Sequence, residues 1–433
     1  MKLIRKIESE INKLLVGYAF NDKTPEVYPK AYLRAMSKDL QHMRVELIER
    51  LHGTTPFYIG SDTPTMCRDE ITKVIMDTIA AIKEVLVEEC KALILDDIII
   101  KDATSHTALT LRVNLPDDSE TLYIAKHAIM HDAQYQIIRE FIFHVFLGTH
   151  KQLAKCEYRI VKLVGICDNG DDTYLVTENA EFGNLIDVTL RPENKIRNKE
   201  RVLLHDEWYY LLNDVIIGMR HMHGSLILHR NLDSTNILVR NNPDTGKYQA
   251  LITGLGSAAF YNEDLRYVYP HIGVKYGKMS YSYETIRGMT LNYYISPPEV
   301  LHYFKFSTAS DSYSFGVILW RLLFDGRMPY ANADDFDSFL DHINYGEHLE
   351  IDESWEYDLK DAMMRFLSFD PNKRPLLAMN STMMLLSNLE KPITELSFGL
   401  KELQDRVQHI SSESSSEAVD VAANDGSLRC LLQ

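Results

Sequence analysis

The sequence predicts an α+β molecule with an all-α helical bundle ahead of a larger mixed region. Three observations predict it. Apolar residues recur at three-four spacing through the first 95 positions, as they do on helices with one buried face. From about Asp96 the pattern changes to short strand-like runs, Ile98–Ile100 and Ala108–Val113 among them. Further on, Trp208–His223 reads as one long buried helix. The implied segments are a bundle over 1–95, a mixed domain over 96–390, an amphipathic helix over 391–410 and a disordered tail over 411–433.

Within the bundle, Ile4, Ile7, Ile11 and Leu14 form a first stripe, and Leu33, Met36, Leu40, Met43 and Leu47 a second, beyond Pro25 and Pro29. A third runs from Ile71 through Ile75, Ile79, Ile82 and Leu86 to Leu93, after the turn signals Gly60–Pro64. A stripe needs an apolar partner, and packing the three helices together supplies one. Met1–Leu95 holds 14 Lys+Arg against 14 Asp+Glu, so the segment is neutral. A membrane-attacking bundle calls for an excess of basic charge, so a structural or partner-binding bundle is the favoured reading.

The whole chain has 433 residues, 45% hydrophobic and 25% charged, ordinary for globular domains. Its formal charge of −16 argues against nucleic acid and bare anionic membrane as partners of the whole. The five cysteines are odd in number and none lie at C-x-x-C spacing, which points away from a disulfide scaffold or zinc site. Glu8 and Glu10 arrive too early for a signal peptide. No run approaches the ~18–20 apolar residues of a membrane span. A cytoplasmic protein is expected.

The chemistry-bearing segments come in order along 96–390. Lys101–Thr107, between two strands, contains no glycine. Leu122-Tyr123-Ile124-Ala125-Lys126 follows, and Glu140 stands 14 residues after Lys126. Tyr174–Leu185 includes Thr177, Glu178 and Ala180. Then come His229-Arg230-Asn231-Leu232-Asp233-Ser234-Thr235-Asn236 and Ile252-Thr253-Gly254-Leu255-Gly256. Ser296-Pro297-Pro298-Glu299, Ser310-Asp311-Ser312-Tyr313-Ser314-Phe315-Gly316 and Asp370–Pro375, with Arg374, close the set.

In this order and spacing the segments resemble the protein kinase superfamily, nearest to tyrosine-kinase and tyrosine-kinase-like domains, and imply its bilobal fold. The resemblance implies that Lys126 pairs with Glu140 and holds nucleotide phosphates. Thr177 would be the gatekeeper, with Glu178–Ala180 the hinge that meets adenine and Asn236 a metal ligand. It implies framework roles for His229, Arg230, Glu299, Asp311 and Arg374, the glutamate and distal arginine forming a buried ion pair. Four departures go against catalysis. Asn231 replaces the base Asp, and an amide accepts a proton poorly near neutral pH. Gly254 replaces the metal-binding Asp, so magnesium loses its main carboxylate. The loop before the second strand lacks the glycines that admit phosphate to the backbone. Asp233 stands where serine/threonine kinases carry a phosphate-contacting lysine, and would repel phosphate.

The resemblance is therefore to a pseudokinase: not an enzyme, but a scaffold or allosteric switch acting through protein contacts, an active kinase being one candidate partner. No metal and no cofactor is required, and ATP binding would be weak and metal-independent. Two alternatives stay open. The order of parts resembles mixed-lineage kinase domain-like protein, whose bundle acts on membranes; the other alternative is an unorthodox kinase of low activity. The substitution at Asn231 is also similar to that in Janus-kinase pseudokinase domains, which regulate a linked kinase. Ser257–Ile295 corresponds to an activation loop and holds eight tyrosines, candidate phosphosites or packing residues. Cys430-Leu431-Leu432-Gln433 resembles a C-a-a-X box, which makes a farnesyl on Cys430 and a chance tetrapeptide the two readings there. Membrane contact would need that lipid or the N-terminal helices.

Overall fold

The computed structural model describes residues 2–20, 68–103, 110–127, 131–148, 159–169, 172–190, 204–225, 227–242, 245–260, 292–303, 305–324, 326–333, 336–351 and 357–377. The second apolar stripe, the loop over 104–109, most of Ser257–Ile295, the helix read over 391–410 and Cys430 lie outside them.

Helix α1 (Lys2–Phe20) buries Leu3, Ile7, Ile11, Leu14 and Leu15, the face that its three-four spacing sets out. Helix α2 (Arg68–Ala92) buries Ile79, Ile82, Leu86, Val87 and Cys90. It runs almost directly into β1 (Ile94–Leu95), which is followed by β2 (Ile99–Ala103), β3 (Thr110–Leu115) and β4 (Asp118–His127). Helix α3 (His131–Gly148) comes next, then β5 (Leu163–Asp168) and β6 (Thr173–Glu178). These six strands form one sheet in the order β1-β5-β6-β4-β3-β2. Every neighbouring pair is antiparallel except β1 and β5.

That parallel edge ties the helical region to the sheet. Ile166 N donates to Leu93 O at 2.9 Å. A Cβ on Gly165 would meet Leu93 O at 2.6 Å and Leu95 Cγ at 2.7 Å, so this close approach needs glycine. The strand residues Ile94 and Leu95 thus fall on the helical side of the boundary read at Asp96. The buried residues of α1 and α2 also form one continuous core with Ile137, Phe141 and Val145 of α3.

The larger half begins with β7 (Gly183–Asn184), α4 (Leu185–Leu190), the long α5 (Leu204–Gly224) and β8 (Ile227–Leu228). Strands β9 (Ile237–Asn241), β10 (Tyr248–Ile252) and β11 (Ala259–Phe260) follow. They pair as a β10-β9-β7 sheet and a β11-β8 ribbon. Helices α6 (Pro298–Tyr303), α7 (Thr308–Leu323), α8 (Phe336–Asn344) and α9 (Tyr357–Phe366) complete it. Every residue of α7 from Ala309 to Leu322 is buried, so this helix is the centre of the half. Tyr293 and Tyr294 pack on Phe339 of α8, at 4.9 and 5.5 Å between ring centres, and serve there as packing residues. Cys90 and Cys167 are buried free thiols, and burial pushes the Cys90 thiol up to about 12. No helix among the described residues is long and apolar enough to cross a membrane.

Candidate functional site

The site lies where α3, the end of β4 and the loops flanking β9 and β10 converge. Lys126, on β4, points from the strand toward Glu140 of α3, with Nζ 2.6 Å from Glu140 Oε1. Lys126 Nζ also donates to Thr253 Oγ1 at 3.3 Å. Glu140 Oε1 also accepts from Thr253 Oγ1 at 3.5 Å and from the backbone N of Gly254 at 3.0 Å. Burial alone would push the Glu140 carboxyl up, but Lys126 and His144 hold it far below the usual carboxylate range. Strand, helix and the Gly254 turn therefore meet at one carboxylate.

Gly254 has φ +77° and ψ 37°, in the left-handed region. A Cβ there would lie 2.3 Å from Asn236 Oδ1. Asn236 is itself tied back, its Nδ2 donating to Asn231 O at 2.9 Å. The asparagine side chain thus occupies the space into which a side chain at 254 would extend. Asn231 keeps its side-chain Oδ1 buried, with no hydrogen-bond partner among the described residues. Its backbone N donates to His229 Nδ1 at 3.3 Å, and His229 Nε2 donates to Thr253 O at 2.9 Å. Burial pulls the His229 imidazole down, toward its neutral form.

Two further predicted positions have structural partners. Glu178 accepts from Lys162 N at 2.8 Å and Arg240 Nη1 at 2.5 Å, so its side chain clamps β6 to neighbouring segments. Thr177 and Ala180 are buried beside it. Asp233 corrects an expectation. Rather than facing a phosphate, it is buried, pairs with Arg321 Nη1 at 2.9 Å, and accepts from Thr235 N and Oγ1 at 3.2 and 2.7 Å. Its charge is spent on α7 and on capping the short 3-10 turn Ser234–Asn236.

Two residues escaped the sequence reading, Arg139 and Glu10. Arg139, next to Glu140 on α3, donates to Gly256 O at 3.1 Å and to Ala258 O at 2.6 Å. Arg230, with φ +62°, donates to Ser257 O at 2.6 Å and Ala258 O at 3.2 Å. A buried guanidinium, Arg230, and a half-buried one, Arg139, therefore hold one short backbone segment. Burial, and then the Arg139 charge, pull Arg230 down to about 9. Arg139 is balanced from outside the kinase-like part, by Glu10 of α1, whose Oε1 lies 3.6 Å from Arg139 Nη1. One signal could have found Glu10: it sits three residues after Ile7 and four before Leu14, a carboxylate at the edge of an apolar stripe.

Residues 143–383, more than half of the chain, match the family model described as protein tyrosine and serine/threonine kinase. The chain belongs to that kinase family. It is 26% identical to tyrosine-protein kinase Btk of Drosophila melanogaster over 235 residues, 53% of this chain and 26% of that protein. It is 30% identical to tyrosine-protein kinase TXK of Mus musculus over 191 residues, 44% of this chain and 31% of that protein. Over 262 residues it is 28% identical to inactive tyrosine-protein kinase 7 of Gallus gallus, covering 60% of this chain and 22% of that protein. The chain thus spans between a fifth and a third of the length of these relatives.

Membership corrects the expectation that the chain is not an enzyme: the matched family is one of kinases, and relatives such as Btk and TXK are named as kinases. The kinase-family framework is assembled around the loop. Asp311 accepts from the backbone N of His229 and of Arg230 at 3.0 and 2.9 Å, and contacts His223 Nε2 at 2.9 Å. Against the upward push of its burial, the bond and charge of His223 and His229 hold the Asp311 carboxyl low. Glu299 and Arg374 form a two-pronged pair at 2.6 and 2.9 Å. Arg374 also donates to the carbonyls of Ser368, Ala309 and Phe369, which fixes the end of the domain against α6 and α7.

Proposed function

We propose that this kinase-family chain serves signalling as a conformational switch for a protein partner, and that its own phosphoryl transfer is slow. One observation carries the switch. Glu10 of α1, Arg139 of α3, the carbonyls of Gly256–Ala258 and Arg230 form a single chain of contacts, partly buried at Arg139 and buried at Arg230. In this family the position of the α3 equivalent and of the following segment decides activity. Here both are bound to a helix outside the family match, so a partner that draws on α1 changes the electrostatic balance at the site. Slow transfer is supported by the amide at Asn231, since losing a general base lowers rate by about 10²–10⁴-fold. Asn236 crowding Gly254 supports ATP binding that is weak and independent of magnesium. The burial of the apolar face of α1 weighs against a membrane-acting bundle.

The test is hydrogen exchange on the full chain. Glu10→Gln should speed exchange at residues 254–260 and at the start of α3, while β9 and α7 stay unchanged. Equal exchange in both proteins would sink the switch. A thermal shift with ATP tests the second half: a large stabilisation that requires magnesium would overturn it.

A further inference from the structure

The first 95 residues carry no net charge, yet α1 sorts its charges by face. At about 100° per residue, Lys2, Arg5, Lys6, Ser9 and Lys13 fall within roughly 100° of arc, opposite the buried stripe. Together with Tyr135 of α3 they line a groove of about 620 Å³. Two of its cations are held in place. Lys6 Nζ donates to Gln134 Oε1 at 3.2 Å, and Lys13 Nζ lies 5.0 Å from the centre of the Tyr135 ring. Lys13 is also 3.1 Å from Glu10 Oε2, the same carboxylate whose other oxygen faces Arg139. Lys2 and Arg5 are exposed and form no ion pair among the described residues. Glu8, the remaining acid at this end of α1, flanks the cationic arc three residues after Arg5 and also acts on the Lys91 charge.

We infer that this groove binds a soluble, multiply charged phosphate, and that its occupancy is felt through Glu10. Four cations with a hydroxyl and a phenol at hand suit phosphate oxygens, which take charge-assisted bonds from several donors at once. The volume suits a diphosphate or a small phosphorylated compound. A phosphorylated lipid surface presents the same headgroup chemistry, but interfacial binding also needs apolar side chains to insert. The apolar residues of α1 are buried in the core, and Tyr135 is the large apolar group exposed at the groove. A phosphate on Lys13 competes with Glu10 for that cation and frees the carboxylate to pair more fully with Arg139. This coupling, though not the site itself, rests on the switch reading above.

The experiment is a calorimetric titration of the full chain with pyrophosphate at low and at physiological salt. Saturable binding that weakens at least tenfold in Arg5→Gln/Lys13→Gln, with circular dichroism and melting temperature unchanged, is the expected result. If the double variant unfolds, Lys2→Gln/Arg5→Gln replaces it, since both residues are exposed and contact no core group. No saturable binding, or equal binding by wild type and variant, overturns the site. So does capture by vesicles carrying phosphorylated headgroups where pyrophosphate fails to compete. Hydrogen exchange with pyrophosphate bound then reads the coupling. Slower exchange at 254–260 supports it, and unchanged exchange refutes the switch while leaving the site in place.

Discussion

At Gly254 two constraints act on one residue. The backbone is left-handed at φ +77°, and a Cβ would sit 2.3 Å from Asn236 Oδ1. A residue other than glycine in that conformation costs about 1–3 kcal/mol before any clash. Gly254→Ala should therefore lower the unfolding free energy by at least that range, read from urea titration. Pairing it with Asn236→Ala separates the two causes. If the clash contributes, the double variant recovers about 0.5–3 kcal/mol relative to the sum of the singles. Strict additivity would mean that the asparagine moves aside freely. The letters Asn231 and Gly254 are plain in the sequence, but the side-chain packing around them is not. That Asn236 fills the space beside Gly254, and that Asp233 turns inward to Arg321 where repulsion of a phosphate was expected, depend on side-chain directions that residue type leaves open.

Elements were legible where their signal is local. The stripes of α1 and α2 follow from spacing alone, and Ile7, Ile11, Leu14, Ile79, Ile82 and Leu86 of them are buried. Their destination was not, since a stripe shows that a face is buried and does not show against what. The sequence suggested three helices packed on one another; α1 and α2 share one core and extend it onto α3, while the second stripe lies outside the described residues. Strand β1 was hidden for a related reason: its two residues continue an apolar helical run, and only a long-range partner, β5, makes them a strand. The same distinction governs the ion pair that joins α6 to the end of the domain. Glu299 and Arg374 are 75 positions apart, and Arg374 is buried with its side chain wholly enclosed. Removing one member of such a pair costs about 3–5 kcal/mol, because the other charge stays buried without its partner. Glu299→Ala should show that loss in denaturant unfolding. Glu299→Ala combined with Arg374→Met should lose less than Glu299→Ala alone. A larger loss in the double variant would show that the carbonyl contacts of Arg374, more than its charge, hold α6 and α7 together.

For the whole molecule, titration of the buried groups sets how stability depends on pH. Glu140 and Asp311 have native values held below the ordinary carboxylate range, and His229 lies below the ordinary imidazole value. In all three the unfolded chain binds protons more readily than the native one, so stability rises with pH. The histidine contribution is complete above about 6.5 and fades as the pH falls through that value, while the carboxylate contributions are complete above about 4 and fade below it. Asp214 opposes them. Its burial raises its value despite Arg159, so its contribution is lost as pH rises. The formal charge of −16 opposes them too, since self-repulsion eases on acidification. Moderate salt screens that second effect, with a Debye length near 8 Å at about 0.15 M, and leaves the buried groups largely untouched. Melting temperature at that ionic strength should hold from pH 8 to about 7, decline gently through 6.5, and drop steeply below about 4. Glu140→Gln should lower the neutral-pH value and flatten the steep limb, because the group that must be protonated there is gone. A steep limb unchanged in Glu140→Gln would assign acid sensitivity to Asp311 and the loop it holds, and would remove the Lys126–Glu140 pair as the element that fails first.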